Sequence, residues 1–202
     1  DRFGEDVLHQ PCYKIIYNKE EPCEFCSNPI IFNQKDAYNW EQYVQKTNSY
    51  FYIIDKAIKW HNGKDARFTL AIDISRLKEA EAENRKLSVA VEQSPASIVL
   101  TDTQGNIEYV NPAFTKNTGY TSQEAIGQNP RILKSGKNPP EFYKTLWDTI
   151  SKGKIWRGMF TNRRKNGEEY YELAVIAPIF DTANRITHYL SIKNDVTRQK
   201  MA

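Results

Sequence analysis

The side chains whose spacing best suits chemistry are thiols. His9-Gln-Pro-Cys12 and Cys23-Glu-Phe-Cys26 each leave two residues between candidate ligands, the spacing of a Cys₃His zinc site in which two short knuckles meet. Zinc at His9, Cys12, Cys23 and Cys26 would also help to fold a stretch that is poor in regular pattern. Two other readings stay open: a redox pair at Cys23 and Cys26, which lies in a loop rather than ahead of a helix, and ordinary thiols. Three cysteines are an odd number, which argues against a disulfide framework and for a reducing, cytoplasmic setting. Nucleophilic and acid–base chemistry finds less support. Ser94 and Ser97 have no histidine at a workable spacing, no phosphate-cradling glycine loop precedes a helix, and the acids form no recognisable pair. No enzyme motif is expected in this stretch.

The totals narrow the class. A chain of 202 residues suits one or two domains, and 40% apolar content is enough for packed cores. The net charge of +3, without a basic run, leaves no footprint for nucleic acid. No apolar run approaches the roughly 20 residues of a membrane span, so no membrane contact is expected. No signal peptide is visible. The chain opens Asp-Arg-Phe-Gly without Met, as expected of a piece of a longer protein.

Chemistry needs elements to hold it. Residues 1–35 read as irregular, punctuated by Gly4, Pro11, Pro22 and Pro29, with only 13–17 suggesting a helix or strand. Alternating β-branched and aromatic residues predict antiparallel strands at 40–44, 50–56 and 67–73, the last two joined by a turn at Asn62-Gly63. Residues 75–93 lack Gly and Pro and begin at a capping Ser75, so they read as a helix. Leu77, Ala80, Asn84, Leu87 and Val91 fall at coiled-coil spacing, and a buried Asn84 would fix register against a matching copy. This predicts a homodimer through residues 77–91; the alternative is a solvated linker helix.

In the second half, strands at 98–102 and 107–110 flank a turn at Gly105. Asn111-Pro112 starts a helix that ends near Gly119, and Thr121 with Glu124 makes a capping box. Then comes Gly127-Gln-Asn-Pro-Arg-Ile-Leu-Lys-Ser-Gly136, a composition suited to the flexible wall of a pocket. Asn138-Pro139 opens a helix with the apolar stripe Phe142, Leu146 and Ile150. Strands at 155–164, 168–178 and 185–197 close the chain. By parity Trp156, Phe160 and Asn162 share a face, while Glu172 and Lys193 lie on neighbouring strands where they can pair. There is also a repeat: strand, turn and strand end in Asp73-Ile-Ser75-Arg and again in Asp195-Val-Thr197-Arg, which points to internal duplication.

This order of elements, with Asn-Pro-Ala-Phe, Thr-Gly-Tyr, Asn-Arg-Arg-Lys-Asn-Gly and a final Asp-Val-Thr, resembles a PAS domain over residues 94–198. Residues 1–75 resemble the back half of a second PAS domain that lacks its first two strands, with 76–93 as the linker. The expected fold class is α+β: a five-stranded antiparallel sheet with short helices on one face, preceded by a helical linker and a partial second PAS domain. The resemblance implies a sensory, signal-transduction module that holds a small molecule, or nothing, between helices and sheet. It passes the pocket's state through flanking helices to an output such as the histidine kinase of a two-component system or a cyclic-dinucleotide enzyme.

The resemblance also narrows the ligand. The stretch at 127–136 sits where light-sensing LOV domains carry Gly-Arg-Asn-Cys-Arg-Phe, and Pro130 stands in place of the cysteine, which excludes covalent flavin photochemistry. Haem is disfavoured, because His9 and His61 lie outside 94–198 and His188 falls on a strand. Residues 138–165 are similar to flavin redox sensors of nitrogen-fixation and methane-monooxygenase regulation in Pro-Pro, Leu-Trp, Trp156-X-Gly and Asn162-Arg-Arg-Lys. The candidate contacts for FAD are Trp156, Phe160, Asn162, Glu172, Lys193 and Asn129, since an isoalloxazine wants an apolar slot, a stacking aromatic, and amides or cations at its polar edge. A paired Glu172 and Lys193 would fill part of that space, and in the competing reading the aromatics are core and the polar residues a structural cluster. A ligand-free interaction and dimerisation module therefore stays open beside the flavin sensor.

Overall fold

The computed structural model describes residues 10–201. They form two compact units that divide inside a helix, between Arg85 and Lys86. The first carries α1 (Cys12–Tyr17), α2 (Asn28–Gln34) and an antiparallel sheet in the order β1 (Tyr38–Val44), β2 (Ser49–Lys59), β3 (Asp65–Asp73). The strands fall where alternation placed them. The expectation of an irregular stretch before them is corrected at α2. Pro29 sits in the first turn of that helix, where its fixed φ favours a start rather than a break, and Ile31 behind it is fully buried. His9 lies outside the described residues.

Helix α3 (Ser75–Glu92) crosses the division, and none of its residues is buried. The second unit follows with β4 (Ser97–Asp102), β5 (Ile107–Val110), α4 (Pro112–Thr118), α5 (Ser122–Ala125), a 3₁₀ turn (Pro130–Leu133), α6 (Pro140–Ile150), β6 (Trp156–Arg163), β7 (Glu169–Phe180), β8 (Ile186–Asp195) and α7 (Thr197–Met201). Its five strands are antiparallel in the order β5-β4-β8-β7-β6, the expected α+β arrangement. The caps form as read: the Asn111 side chain accepts from the Phe114 N–H, and both bonds of the Thr121–Glu124 box are made. The helices cover one sheet face. Val99 and Ile107 pack with Phe114, Ala125 and Leu133, while Leu146 and Ile150 pack on Phe160, Ala174, Ile176 and Tyr189. The last strand ends at Asp195, two residues short of the expected limit, because its carboxylate accepts from the Thr197 N–H at 2.9 Å and starts α7. Among the described residues no helix is long and apolar enough to cross a membrane.

The repeat in the sequence is a repeat in register. Gln42, Phe51 and Asp73 are mutual partners across β1-β2-β3 as Phe160, Glu172 and Asp195 are across β6-β7-β8. The ends match as well. The Ile74 N–H donates to the Tyr50 carbonyl at 2.8 Å and the Tyr50 N–H to Ser75 Oγ at 2.9 Å; Val196, Tyr171 and Thr197 repeat these bonds at 2.9 and 3.0 Å.

Asp55 ties the first unit together. It is fully buried on β2 and accepts five hydrogen bonds: from Ser27 Oγ (2.6 Å), Trp40 Nε1 (2.8 Å), Thr69 Oγ1 (2.6 Å) and, as a fork, Arg67 Nε (2.9 Å) and Nη2 (2.8 Å). Burial pushes its pKa up, but the bonds from Ser27, Thr69, Trp40 and Arg67 outweigh that and hold the carboxyl below its usual range. A depressed folded-state pKa contributes stability that is fully present above the unfolded value of about 4 and is lost as the pH falls through the folded value. Asp55→Asn strands the Arg67 charge and should cost about 3 kcal/mol, roughly a hundredfold in local opening. Hydrogen-exchange mass spectrometry checks this: exchange should rise in β1–β3 peptides and not in β6–β8, and the acid-induced loss of protection in β1–β3 should flatten.

Candidate functional site

A cavity of about 390 Å³ lies inside the second unit, between the covered face of the sheet and α6. Its walls are built from both sides. Val99, Thr101, Phe160, Asn162, Ile176, Tyr189, Ser191 and Lys193 project from the strands, and Tyr143, Leu146, Trp147 and Ile150 come from α6. The remaining wall is the stretch at 127–136, contributing Asn129, Pro130, Arg131 and Lys134.

That wall is fastened at both ends. On the β5 side, Ile107 N–H donates to the Gln128 carbonyl (2.8 Å) and Gly127 N–H to the Ile107 carbonyl (2.7 Å). On the β6 side Lys134 pairs with Asn162 in an isolated bridge, and Thr161 N–H donates to Asn138 Oδ1 at 2.9 Å. Between them Asn129 caps the 3₁₀ turn: its Oδ1 accepts from Arg131 N and Nε, both at 3.1 Å, and its Nδ2 donates to the Gly105 carbonyl at 3.0 Å. Gly105 sits at φ +85°, and a Cβ there would come within 2.7 Å of Asn129 Nδ2 and 3.2 Å of the Trp147 ring. The turn residue is therefore glycine for two reasons, conformation and contact. The expected flexible wall is a braced one.

At one end of the cavity lies a buried polar cluster. Asn162 Nδ2 donates to Glu172 Oε2 at 2.8 Å, and Lys193 Nζ stands 3.7 Å from the same oxygen and 5.3 Å from the centre of the Phe160 ring. Their side chains pair as the sequence allows, yet the cavity remains beside them. Asn162 and Lys193 face it, while Glu172, 1% exposed, stands behind and holds both. Trp156 is also off the wall. It packs edge-on against Phe142 with ring centres 5.2 Å apart and lies across Gly158, where a Cβ would come within 2.3 Å of its ring. Of the six residues expected at a cofactor, Phe160, Asn162, Lys193 and Asn129 line the cavity.

Sequence reasoning missed two hydroxyls. Tyr143 Oη and Ser191 Oγ are buried without a hydrogen-bond partner among the described residues, and both residues line the cavity. Burial pushes the Tyr143 phenol pKa up, so it stays a neutral donor. Ser191 was findable as the residue two before Lys193 on the same strand face, and Tyr143 by its i, i+4 spacing to Trp147 beside the apolar stripe. Buried polar groups are normally paired, so two unpartnered hydroxyls turned to one cavity suit a polar-edged ligand.

The other expected chemistry resolves differently. His188 lies on β8 with Nε2 at 3.1 Å from Glu108 and does not reach the cavity. Cys12 is exposed, Cys23 buried and Cys26 half-buried, and all three are free thiols. Among the described residues no three His, Cys, Asp or Glu side chains converge on a point where a metal ion would sit, so the expected zinc site is not formed there.

A chain of contacts leads out of the site. Tyr171, next to Glu172, holds Thr197 and Val196 at the start of α7 through its backbone. Asp195, the cross-strand partner of Glu172, accepts from Arg164 Nη2 at 2.6 Å, and the Arg164 guanidinium lies 4.2 Å from the Tyr170 ring centre. The Asp195 carboxyl is raised by burial but lowered further by the bonds from Thr197 and Arg164, so it is held below its usual range.

A five-stranded antiparallel sheet with short helices over a cavity is the architecture of PAS and LOV sensory domains. The sequence model of the PAS domain matches residues 95–198, and the chain belongs to that family. Over 107 residues it is 38% identical to the nitrogen fixation regulatory protein of Klebsiella oxytoca, covering 53% of this chain and 22% of that protein. It is 34% identical over 102 residues to the aerotaxis receptor of Escherichia coli K12, covering 50% and 20%. Among solved structures, a light-oxygen-voltage domain studied with a flavin analogue superposes with a TM-score of 0.52 at 23% identity, covering 59% of this chain and 90% of that one. The chain thus spans about a fifth of the length of these two curated relatives.

Removing one member of the buried pair leaves the other uncompensated. Lys193→Met should cost about 3 kcal/mol, and Glu172→Gln added to it should restore most of that loss. Pulse proteolysis in urea reads both; a double variant no more stable than Lys193→Met would show that the stranded carboxylate is not what costs the stability.

Proposed function

We propose that residues 95–198 are the sensory input of a signal-transduction protein and that the cavity holds FAD. The observation that carries this reading is the pair of unpartnered hydroxyls, Tyr143 and Ser191, facing the same 390 Å³ space as Asn162 and Lys193. Asn162, Lys193 and Ser191 would hold the polar edge of the ring system, and Phe160, Tyr143 and Trp147 supply an aromatic wall. When bound, the group supplies reversible electron uptake. Pro130 offers no thiol, so the ligand stays non-covalent. Glu172, 3.7 Å from the Lys193 Nζ, holds that side chain in place, and the pair brings no net charge to the pocket. Arg131 and Lys134 at the wall suit the ligand's phosphates. A strain or charge change at Glu172 reaches α7 through Tyr171 and Asp195, and the output, such as a histidine kinase, lies along the chain from there.

Two further elements belong to this reading. Residues 10–75 are the sheet half of a second PAS domain, supported by the shared register and the matching ends of β3 and β8. The chain is a homodimer through α3, supported by Leu77 and Leu87, which are 56% and 58% exposed in a single copy.

Purified chain refolded with FAD should be yellow, and Asn162→Leu with Ser191→Val should lower FAD affinity at least tenfold, about 1.4 kcal/mol or more; a colourless protein sinks the flavin reading. Light scattering should give a dimer that Leu87→Glu converts to a monomer. A wild-type monomer at micromolar concentration ends the α3 seam.

A further inference from the structure

The first unit has a cavity of its own, about 360 Å³, bounded by α1, the loop before α2, and the inner face of β1–β3. The shared register puts it in the same place on the strands as the sensory cavity. Counting from the Gln42–Phe51–Asp73 and Phe160–Glu172–Asp195 partners, Val44 stands at the position of Asn162, Phe51 at that of Glu172, and Ala71 at that of Lys193. All three members of the polar cluster are replaced by apolar side chains, and all three replacements line the cavity. Thr69 stands where Ser191 stands. The Ser191 hydroxyl has no partner in its unit, whereas the Thr69 hydroxyl is engaged by Asp55 at 2.6 Å.

Three more polar residues of the wall are engaged in the same way. Ser27 Oγ, Trp40 Nε1 and the Arg67 guanidinium all donate to Asp55, and Arg67 Nη1 also donates to Asn28 Oδ1 at 3.2 Å. Asp55 thus neutralises Arg67, the one cation lining this wall among the described residues, and turns these donors away from the space. What faces the space includes Tyr17, Phe25 and Trp40, joined edge-on or tilted with ring centres 5.2 and 5.9 Å apart, and the thiols of Cys23 and Cys26. Rings and thiols are polarisable surface that favours an aromatic guest and offers no charge to an ionic one.

We infer that this cavity is a second ligand site, selective for a small uncharged aromatic molecule. It does not depend on whether the other cavity binds flavin. Two cavities at one position of a repeated sheet, one polar-edged and one apolar, would let a single chain answer two chemically different ligands.

Indole tests this directly, because Cys23 and Cys26 report from the wall. In the full chain, saturating indole should slow iodoacetamide modification of both cysteines at least fivefold, read by peptide mass spectrometry. Indole-3-carboxylate, the same ring with a charge, should not. Ala71 is exposed at the lip of the cavity, so Ala71→Phe fills the mouth without entering the packed core and should abolish the protection. Unchanged modification rates with indole, or equal protection by the carboxylate, overturn the inference on wild-type protein alone. Undiminished protection in Ala71→Phe overturns it as well.

Discussion

A charged carboxylate inside a protein must be met by donors, and that requirement organises both units of this chain. In each, the carboxylate sits on a strand with a neighbour on both sides: Asp55 on β2 and Glu172 on β7. Asp55 draws donors from β1, β3 and the loop before α2. Glu172 draws Asn162 from β6 and Lys193 from β8. The strands are thereby clamped from within, at the faces that line the two cavities.

The two clamps leave opposite surfaces. Asp55 engages Ser27, Trp40, Thr69 and Arg67 on its cavity wall, which leaves that cavity the more apolar of the two. Glu172 stands behind Asn162 and Lys193, so both still face the space, joined by two hydroxyls without a hydrogen-bond partner among the described residues. One repeated sheet thus gives two chemistries through a few substitutions at fixed register positions. The same geometry connects site to exit, since Tyr171 beside Glu172 and Asp195 across from it both bond Thr197 at the start of α7.

Much of this was legible in the chain. The caps and turns read from the chain depend on neighbours within a few residues, and so the helices at Asn111-Pro112 and Thr121–Glu124 stand where the residues put them. Strand parity put Trp156, Phe160 and Asn162 on one face, and neighbouring strands let Glu172 and Lys193 pair; all five side chains are buried. Parity could not show that Trp156, on that same face, bends over Gly158 and leaves the wall, because the space it fills is created by a missing side chain two residues away. Nor could it show that the stretch at 127–136 is braced, because its anchors are backbone groups of β5 and β6, far off in sequence.

Periodicity and local hydrogen bonding therefore made most elements, their order and the repeat legible in the chain, though not α2, and the family was legible as a resemblance of motifs such as Asn-Pro-Ala-Phe and Thr-Gly-Tyr. Tertiary structure alone decided which groups face a cavity and which are satisfied elsewhere. Tyr143 and Ser191 gain meaning from lacking partners, Thr69 and Trp40 lose it by having one, and three thiols spaced for a metal do not converge. Satisfaction of a polar group is a relation between distant residues in three dimensions, and no spacing along the chain encodes it.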